Sequence, residues 1–211
     1  SEEALIERIG TASAVVTTVA DPVTERVLSS CPNLEMVAQY AVGLDNIDLA
    51  AASHEGITVT HTPGVLTEAT ADFTWALLLA VARRVVDADA FVRSGKFKRW
   101  ETRTLLGMEL HGKTLGVVGM GRIGSAVARR ALGFGMDVVF YNRTPANPTI
   151  IRETNSRQVD LDTLLRTSDV VSLHCPHNDD SHHLLREDTL AIMKPSALLI
   201  NTARGPVVHE S

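Results

Sequence analysis

The sequence has few cysteines, little net charge and no long apolar run, and each shortage excludes a class of protein. Two cysteines, Cys31 and Cys175, cannot form a disulfide framework and fit a reducing compartment. A net charge of -5 over 211 residues supplies no field that would attract nucleic acid or an anionic membrane. The most apolar run, residues 73–82, is about half the length of a membrane span, and the charged segment SEEALIERIG is unlike a signal peptide. We therefore expect a soluble cytoplasmic protein that binds neither nucleic acid nor membrane.

A strand, a glycine turn, a helix and a second strand follow one another within residues 113–144. Thr114–Val118 and Asp137–Tyr141 are short apolar runs, typical of buried parallel strands. Between them, residues 119–124 read GMGRIG and open a helical pattern. This context makes G-x-G-x-x-G a dinucleotide-binding fingerprint, although three glycines also occur in tight turns of other α/β proteins.

Each glycine of this turn has its own predicted role. Gly119 permits the tight turn, Gly121 lets the backbone approach a pyrophosphate, and Gly124 lets helix and strand pack closely. The N–H groups and the dipole at the start of the helix then favour the anionic pyrophosphate.

The rest of the chain alternates strands with helices, which predicts a parallel, doubly wound α/β sheet. A helix is expected after Asp21-Pro22, as N-cap and first residue. A single long helix is expected over Thr67–Ser94, extending about 40 Å at 1.5 Å per residue, followed by an irregular arm to Gly112. Four strands are expected after residue 112. Further expected strands and helices lie at residues 14–19, 34–40, 57–61, 161–167, 169–174, 186–193 and 197–202.

The order of motifs resembles the D-2-hydroxyacid dehydrogenases over nearly the whole chain. The matching pieces are VGLDNID at 42–48, TPG at 62–64, TAD at 70–72, the glycine turn, HCP at 174–176 and NTARG at 201–205. Within that family, VGLDNID, TPGVLTEATAD and YNRT look most like glyoxylate/hydroxypyruvate reductases.

The resemblance implies two domains and the reduction of a 2-keto acid to a D-2-hydroxy acid by hydride transfer. Residues 1–66 would be part of a flavodoxin-like substrate domain, 67–112 a linking helix and arm, and 113–211 a Rossmann NAD(P)-binding domain that is incomplete at its C-terminus. Family members dimerise through the linking region, so we expect a homodimer around it.

The resemblance also assigns site residues. The substrate carboxylate would be held by the Val42-Gly43 turn and by Arg204, whose guanidinium also polarises the carbonyl. The alternative for Arg204 is a surface or helix-capping residue. The cofactor-binding residues are expected to be Thr70, Gly119, Met120, Gly121, Arg122, Ile123, Gly124, Asn142, Arg143, Thr144, His174, Cys175, Pro176, Thr202 and Ala203.

Cofactor choice can be argued from the end of the second strand, where an acidic residue reads the ribose of NAD about twenty residues past the glycines. Asn142 occupies that place and removes the repulsion of a 2′-phosphate, while Arg143 and Thr144 offer it a cation and a hydroxyl. The sequence predicts NADP(H) over NAD(H). NAD(H) remains the alternative, with Arg143 pointing to solvent.

The density of histidines after residue 174 suggests a metal site, but their spacing does not support one. His177, His182 and His183 follow the HCP motif, but no tetrahedral spacing emerges, and adjacent His182 and His183 should point in different directions. These histidines are expected in a solvated loop. His61 is expected to be structural.

The sequence also departs from the family. The family's glutamate and histidine, which protonate the substrate oxygen, are expected beyond residue 211, and His209 is not that acid. We therefore interpret the chain as a middle portion, and expect this portion alone to be inactive and aggregation-prone. Two alternatives stay open: another D-2-hydroxyacid dehydrogenase, such as phosphoglycerate dehydrogenase, and a dinucleotide-sensing corepressor-like protein.

Overall fold

The computed structural model of the chain describes residues 1–210. Its contacts divide it into two compact units, Ser1–Leu66 and a second unit that begins at Thr67. Each unit is built on a parallel sheet, so the predicted parallel α/β class is confirmed. Within the described residues, no helix combines the length and the apolar character needed to cross a membrane.

The first unit is a three-stranded sheet in the order β1-β2-β3. Its register aligns Val15, Val37 and Val59 across the three strands, and Val37 is fully buried in the core of the unit. Its elements are α1 (Glu2–Ile9), β1 (Ala14–Thr17), α2 (Glu25–Ser29), β2 (Met36–Gln39), α3 (Leu49–His54) and β3 (Thr58–Thr60).

The start predicted for α2 at Asp21-Pro22 is wrong. The helix begins at Glu25 and its N-cap is Thr24, whose side chain accepts from the N–H of Val27. Asp21 instead accepts hydrogen bonds from the backbone and hydroxyl of Thr18. The intervening Val23 is extended because it forms a parallel bridge with Ile47, a pairing between residues distant in the chain.

The second unit is a five-stranded parallel sheet in the order β6-β5-β4-β7-β8. Strands β5 and β6 are added on one side of β4, and β7 and β8 on the other, so the strand order reverses between β4 and β7. At such a reversal, doubly wound sheets form a crevice at the carboxyl ends of their strands. One strand more than the four expected is present, because β6 pairs with β5, and α7 was not predicted either. The elements are α4 (Thr67–Ala82), α5 (Val85–Arg93), β4 (Thr114–Val118), α6 (Arg122–Gly133), β5 (Asp137–Tyr141), α7 (Pro148–Thr154), β6 (Ser156–Gln158), α8 (Leu161–Thr167), β7 (Val170–Leu173), α9 (Glu187–Leu190) and β8 (Leu198–Asn201).

The single long helix predicted over Thr67–Ser94 is wrong. It is two helices, α4 and α5, separated at Arg84, whose backbone is left-handed with φ 54 and ψ 41. The carbonyl of Ala82 accepts from the N–H of Met108 at 2.7 Å, so it is unavailable to a continuing helix. Gly107 permits this approach, since an added Cβ there would lie 2.2 Å from the Ala82 oxygen.

The helix α4 packs on α6, which carries the glycine turn at its start. Trp75 is 5% exposed, donates from Nε1 to the carbonyl of Val127 at 3.0 Å, and stacks on Phe134 with ring centroids 4.4 Å apart. Asp72 binds Arg130 of α6 at 2.6 Å. Aromatic stacking and these bonds hold the two helices in a fixed register.

Candidate functional site

A cleft of about 480 Å³ opens at the carboxyl ends of β4, β5 and β7. It lies at the reversal point of the sheet, where ligands bind in open α/β folds. The predicted residues of the glycine turn, of the segment after β5 and of the HCP motif meet here. The lining residues are Val118, Gly119, Met120, Gly121, Tyr141, Asn142, Arg143, Thr144, His174, Cys175, Pro176, Asn178, Asp180, Ser181 and Leu184.

The three glycines of the turn differ in what surrounds them. A Cβ on Gly119 would lie 2.7 Å from the Cys175 nitrogen, and its φ of 98° favours glycine. A Cβ on Gly124 would lie 2.0 Å from the Gly119 oxygen. Gly121 has no atom within 4 Å of such a Cβ. The packing of the fold therefore explains two of the glycines, whereas the space around Gly121 is open.

Among the residues that the structure describes, no side chain caps the backbone N–H groups at the start of α6. Its N-cap, Gly121, makes no side-chain cap hydrogen bond, and no acidic residue stands in the first turn. The turn is formed by Arg122, Ile123 and Gly124, which are not among the residues that line the cleft. Unpaired N–H groups at a helix start bind anions, and the residues here fit a pyrophosphate.

Asn142 is joined to the glycine turn by its side chain. Its Oδ1 accepts from the N–H of Met120 at 2.7 Å, which fixes the amide at the end of β5. Arg143, the next residue, forms an ion pair with Asp180 across the cleft, and Thr144 completes this side of the lining. A cation, a hydroxyl and an amide, with no carboxylate at the carboxyl end of β5, fit a phosphorylated ribose.

The opposite wall is neutral. His174 Nε2 lies 2.8 Å from the Ser172 hydroxyl, and burial lowers the pKa of His174 to about 4. Burial raises the pKa of the Cys175 thiol, although the nearby charge of Arg143 acts in the opposite direction. At neutral pH both side chains are therefore uncharged, and they form a wall suited to an apolar ring rather than to acid–base chemistry.

The segment after β8 places Arg204 at the same carboxyl edge of the sheet. Asn201 shapes it, because its side chain accepts from the N–H of Ala203 at 3.0 Å and donates to the carbonyl of Arg204 at 2.9 Å. Thr202 contacts Thr74 through their hydroxyls at 2.9 Å. The Thr74 hydroxyl also donates to the carbonyl of Thr70 at 2.8 Å, so Thr70 and Thr202 are linked. Thr70, Thr202 and Ala203 lie outside the lining of the cleft.

In the first unit, the predicted carboxylate-binding turn is anchored through its carbonyls. The carbonyl of Ala41 accepts from the N–H of Thr62 at 3.0 Å, that of Val42 from His61 Nδ1 at 2.9 Å, and that of Gly43 from Gln39 Nε2 at 3.2 Å. Because a peptide is planar and trans, the following N–H groups point the opposite way. The N–H groups of Val42 and Gly43 thus face away from these partners.

The histidines after the HCP motif are closer together than expected. The rings of His182 and His183 stack with centroids 3.8 Å apart, so the prediction that they point in different directions is wrong. The cause is the left-handed backbone of His183, whose φ is 51°. Their loop is partly buried, because Ser181 is 6% exposed while its neighbour His182 is exposed. Within residues 1–210, no group of three or more His, Cys, Asp or Glu side chains is arranged to hold a metal ion.

Comparison with known proteins agrees with this geometry. The D-isomer specific 2-hydroxyacid dehydrogenase, NAD binding domain, matches residues 75–211. The chain belongs to this family. A glyoxylate reductase of Thermococcus litoralis is 52% identical over 97% of the chain, and one of Korarchaeum cryptofilum is 49% identical over 100% of it. The chain spans 62% and 63% of these two relatives.

Solved structures of related proteins have the same fold. A protein of Thermus thermophilus is 50% identical, with a TM-score of 0.91 over 99% of this chain and 65% of its own. The D-lactate dehydrogenase of Aquifex aeolicus, complexed with NAD and lactic acid, is 37% identical, with a TM-score of 0.88 over 96% of this chain and 60% of its own. The predicted Rossmann-type NAD-binding fold is thereby confirmed, whereas the predicted bounds of its domain stay a prediction.

Sequence reasoning missed several residues that line or support the cleft. Asp180 and Ser181 lie in a loop that was expected only to be solvated, and Ser172 stands inside a buried strand. The signal that could have found the loop residues is their position just after β7, because segments that follow parallel strands at the reversal point form the crevice.

Proposed function

We propose that the protein is an NADPH-dependent reductase that converts small 2-keto acids, glyoxylate or hydroxypyruvate, to D-2-hydroxy acids. The observation that carries this proposal is the open space at Gly121, beside an uncapped start of α6, in a family of 2-hydroxyacid dehydrogenases. The relatives named glyoxylate reductase support the substrate class. Two free cysteines, one of them buried, support a reducing compartment such as the cytoplasm.

In this proposal the start of α6 and the glycine turn hold the pyrophosphate, while Asn142, Arg143 and Thr144 hold the adenosine ribose and its 2′-phosphate. His174, Cys175 and Pro176 form the wall on the adenosine side. Thr70, Thr202 and Ala203 stay cofactor contacts by resemblance. Bound NADPH supplies the hydride. The preference for NADPH rests on the missing carboxylate at residue 142 and on the guanidinium beside it.

The substrate is proposed to bind through its carboxylate to the N–H groups of Val42 and Gly43. The bonds from Thr62 and His61 to the carbonyls of the same two peptides orient these N–H groups. Arg204 binds the carboxylate and polarises the carbonyl, so that negative charge growing on its oxygen is stabilised as the hydride arrives. His174 does not supply the proton, because its low pKa keeps it neutral at working pH.

The test is a steady-state assay of the full-length protein that follows NADPH oxidation with glyoxylate, hydroxypyruvate and pyruvate, and also the oxidation of 3-phosphoglycerate. We expect the highest kcat/KM with glyoxylate or hydroxypyruvate. Arg204→Ala should lower kcat/KM about 10²-fold or more. The control, Arg186→Ala, removes an arginine that pairs with Asp188 at the surface and should change little. If the wild type turns over neither glyoxylate nor hydroxypyruvate, the proposal is rejected.

We also propose that the protein assembles as a homodimer through α4, α5 and the arm. Several large apolar side chains there are more than half exposed, which is unusual for a monomer. They are Phe73, Val81, Val85, Val86, Val92, Phe97, Trp100 and Leu106. Sedimentation of the full-length protein at micromolar concentration tests this, and a monomer would reject it.

A further inference from the structure

The acidic residue Asp180 faces the one arginine that lines the cleft. Among the described lining residues, Asp180 is the sole carboxylate and Arg143 the sole guanidinium, and the two form an ion pair. The pair joins residues that are 37 positions apart, so it depends on the fold and not on local sequence. Arg143 is the cation proposed to receive the 2′-phosphate of NADPH, and the structure shows that a carboxylate already neutralises it.

The loop that carries Asp180 is held in place by its own hydrogen bonds. The Ser181 hydroxyl donates to the carbonyl of Pro176 at 2.6 Å and accepts from the N–H of Asn178 at 2.9 Å. The loop is also tied to the segment after Arg204, because the N–H of His183 donates to the carbonyl of Pro206 at 2.8 Å. A loop fixed at both places presents Asp180 to Arg143 without a large ordering cost.

The pair can still open, since the side chains of Arg143 and Asp180 are 56% and 66% exposed. Exposed ion pairs contribute little stability, so a stronger anion can replace the carboxylate. A phosphate monoester carries a charge of about −1.5 to −2 at neutral pH and binds arginine in a bidentate manner. A nucleotide without a 2′-phosphate has no group that needs Arg143, and the pair stays closed.

We propose that Asp180 is the counter-ion that the 2′-phosphate of NADPH displaces from Arg143, and that it thereby limits the preference for NADPH over NADH. This inference rests on the proposed dinucleotide binding. Displacement costs the Arg143–Asp180 pair and leaves Asp180 near the phosphate, where the two negative charges repel. Both costs fall on NADPH alone. Asp180 is thus a specificity-determining residue that acts without contacting the reacting atoms.

The test is calorimetric titration of the full-length protein with two ligands that differ only in the 2′-phosphate: adenosine 2′,5′-bisphosphate and 5′-AMP. Asp180→Asn should tighten binding of the bisphosphate about three- to tenfold, because exposed charge contacts are each worth roughly a factor of two to five. Binding of 5′-AMP should change less than twofold. The gain should shrink in 0.5 M salt, which screens exposed charges.

Two controls separate this mechanism from a general charge effect. Asp179→Asn removes the neighbouring exposed carboxylate, which does not line the cleft. It should give less than half of the gain in bisphosphate affinity that Asp180→Asn gives. In an Arg143→Ala background, Asp180→Asn should lose about half of its effect, since no guanidinium remains to be released and only the repulsion between Asp180 and the phosphate is relieved. An equal gain in that background, or an equal gain from Asp179→Asn, would overturn displacement.

The outcomes also distinguish this inference from the proposed function. If Asp180→Asn leaves the affinity for the bisphosphate unchanged while the wild type binds both ligands, the role of Asp180 is rejected and dinucleotide binding stands. If the wild type binds neither ligand nor NADPH, the proposed function falls, and the inference falls with it.

Discussion

Replacing Gly121 or Gly124 by alanine separates ligand binding from packing at neighbouring positions of one turn. The two substitutions add the same methyl group, one at the N-cap and one in the first turn of α6. The methyl on Gly121 would meet no protein atom within 4 Å, whereas the methyl on Gly124 would lie 2.0 Å from the Gly119 oxygen and 3.1 Å from Val117 Cγ1. Gly121→Ala should therefore weaken ligand binding, and Gly124→Ala should lower the stability of the fold.

The magnitudes follow from these distances. Gly121→Ala should lower the free energy of unfolding by no more than about 1 kcal/mol, because its backbone φ of -80° suits alanine and only the N-cap preference for glycine is lost. The methyl takes the space next to the pyrophosphate and displaces it from charge-assisted N–H bonds worth about 1.5–3 kcal/mol. NADPH affinity should fall roughly 10- to 150-fold. Gly124→Ala must move backbone atoms and should cost about 1–3 kcal/mol of stability.

Urea denaturation monitored by circular dichroism and calorimetric titration with NADPH measure the two quantities on the same samples. Gly133→Ala is a matched control, since it adds a methyl at the end of α6 with no atom within 4 Å, and it should leave NADPH binding unchanged. Wild-type affinity in Gly121→Ala would refute the assignment of this space to the cofactor. A stable Gly124→Ala would refute the packing argument.

Three further predictions concern cofactor choice, substrate binding and pH. Asn142→Asp keeps an oxygen for the N–H of Met120 but adds a charge that repels the 2′-phosphate, so the NADPH/NADH ratio of kcat/KM should fall about tenfold; an unchanged ratio would contradict this. His61→Ala releases the carbonyl of Val42 and should raise KM for the keto acid about two- to tenfold, while the Kd of NADPH stays constant; a parallel rise in both would argue for unfolding. The pKa of His174 is about 4 against an ordinary 6.5, so the unfolded chain binds this proton first as the pH falls. The contribution of His174 to the free energy of unfolding, up to about 3 kcal/mol, is present above pH 6.5 and is lost as the pH falls from 6.5 to 4. His174→Gln should flatten urea stability over that window relative to the wild type, and an unchanged slope would count against the shift.

The glycine turn could be predicted from the sequence because its constraints are local. Gly119, Gly121 and Gly124 lie within six residues, between two strands whose apolar runs are also local. The distances around each glycine agree with the role that spacing alone suggests. The role of Gly121 in binding a cofactor stays a prediction.

Features that depend on distant partners could not be predicted in the same way. No glycine or proline marks the break at Arg84, because its cause is the N–H of Met108, which reaches back to the Ala82 carbonyl. The strand Ser156–Gln158 has no apolar pattern and exists because β5 offers it an edge, with Val138 opposite Ser156.

The ion pair in the cleft could not be predicted from the sequence either. Arg143 could be predicted as a phosphate ligand from its place after β5, but nothing near it in sequence indicates Asp180. Similarly, a run of histidines suggested diverging rings, and the left-handed conformation of His183 made them stack. Neighbouring side chains in an extended segment are expected to point to opposite sides. A left-handed residue breaks that alternation, and the sequence did not indicate where one would occur.

The burial of Trp75 gives the protein its own optical reporter. Its indole is bonded to Val127 of α6 and stacked on Phe134, and Val127 lies six residues beyond Gly121, about 9 Å along the helix axis. Reduced nicotinamides absorb at the wavelengths where tryptophan emits, so a dinucleotide held at the start of α6 should quench this fluorescence by energy transfer. Trp100 is 76% exposed, and its removal would leave a single emitter, fixed in the same helix pair that holds the glycine turn.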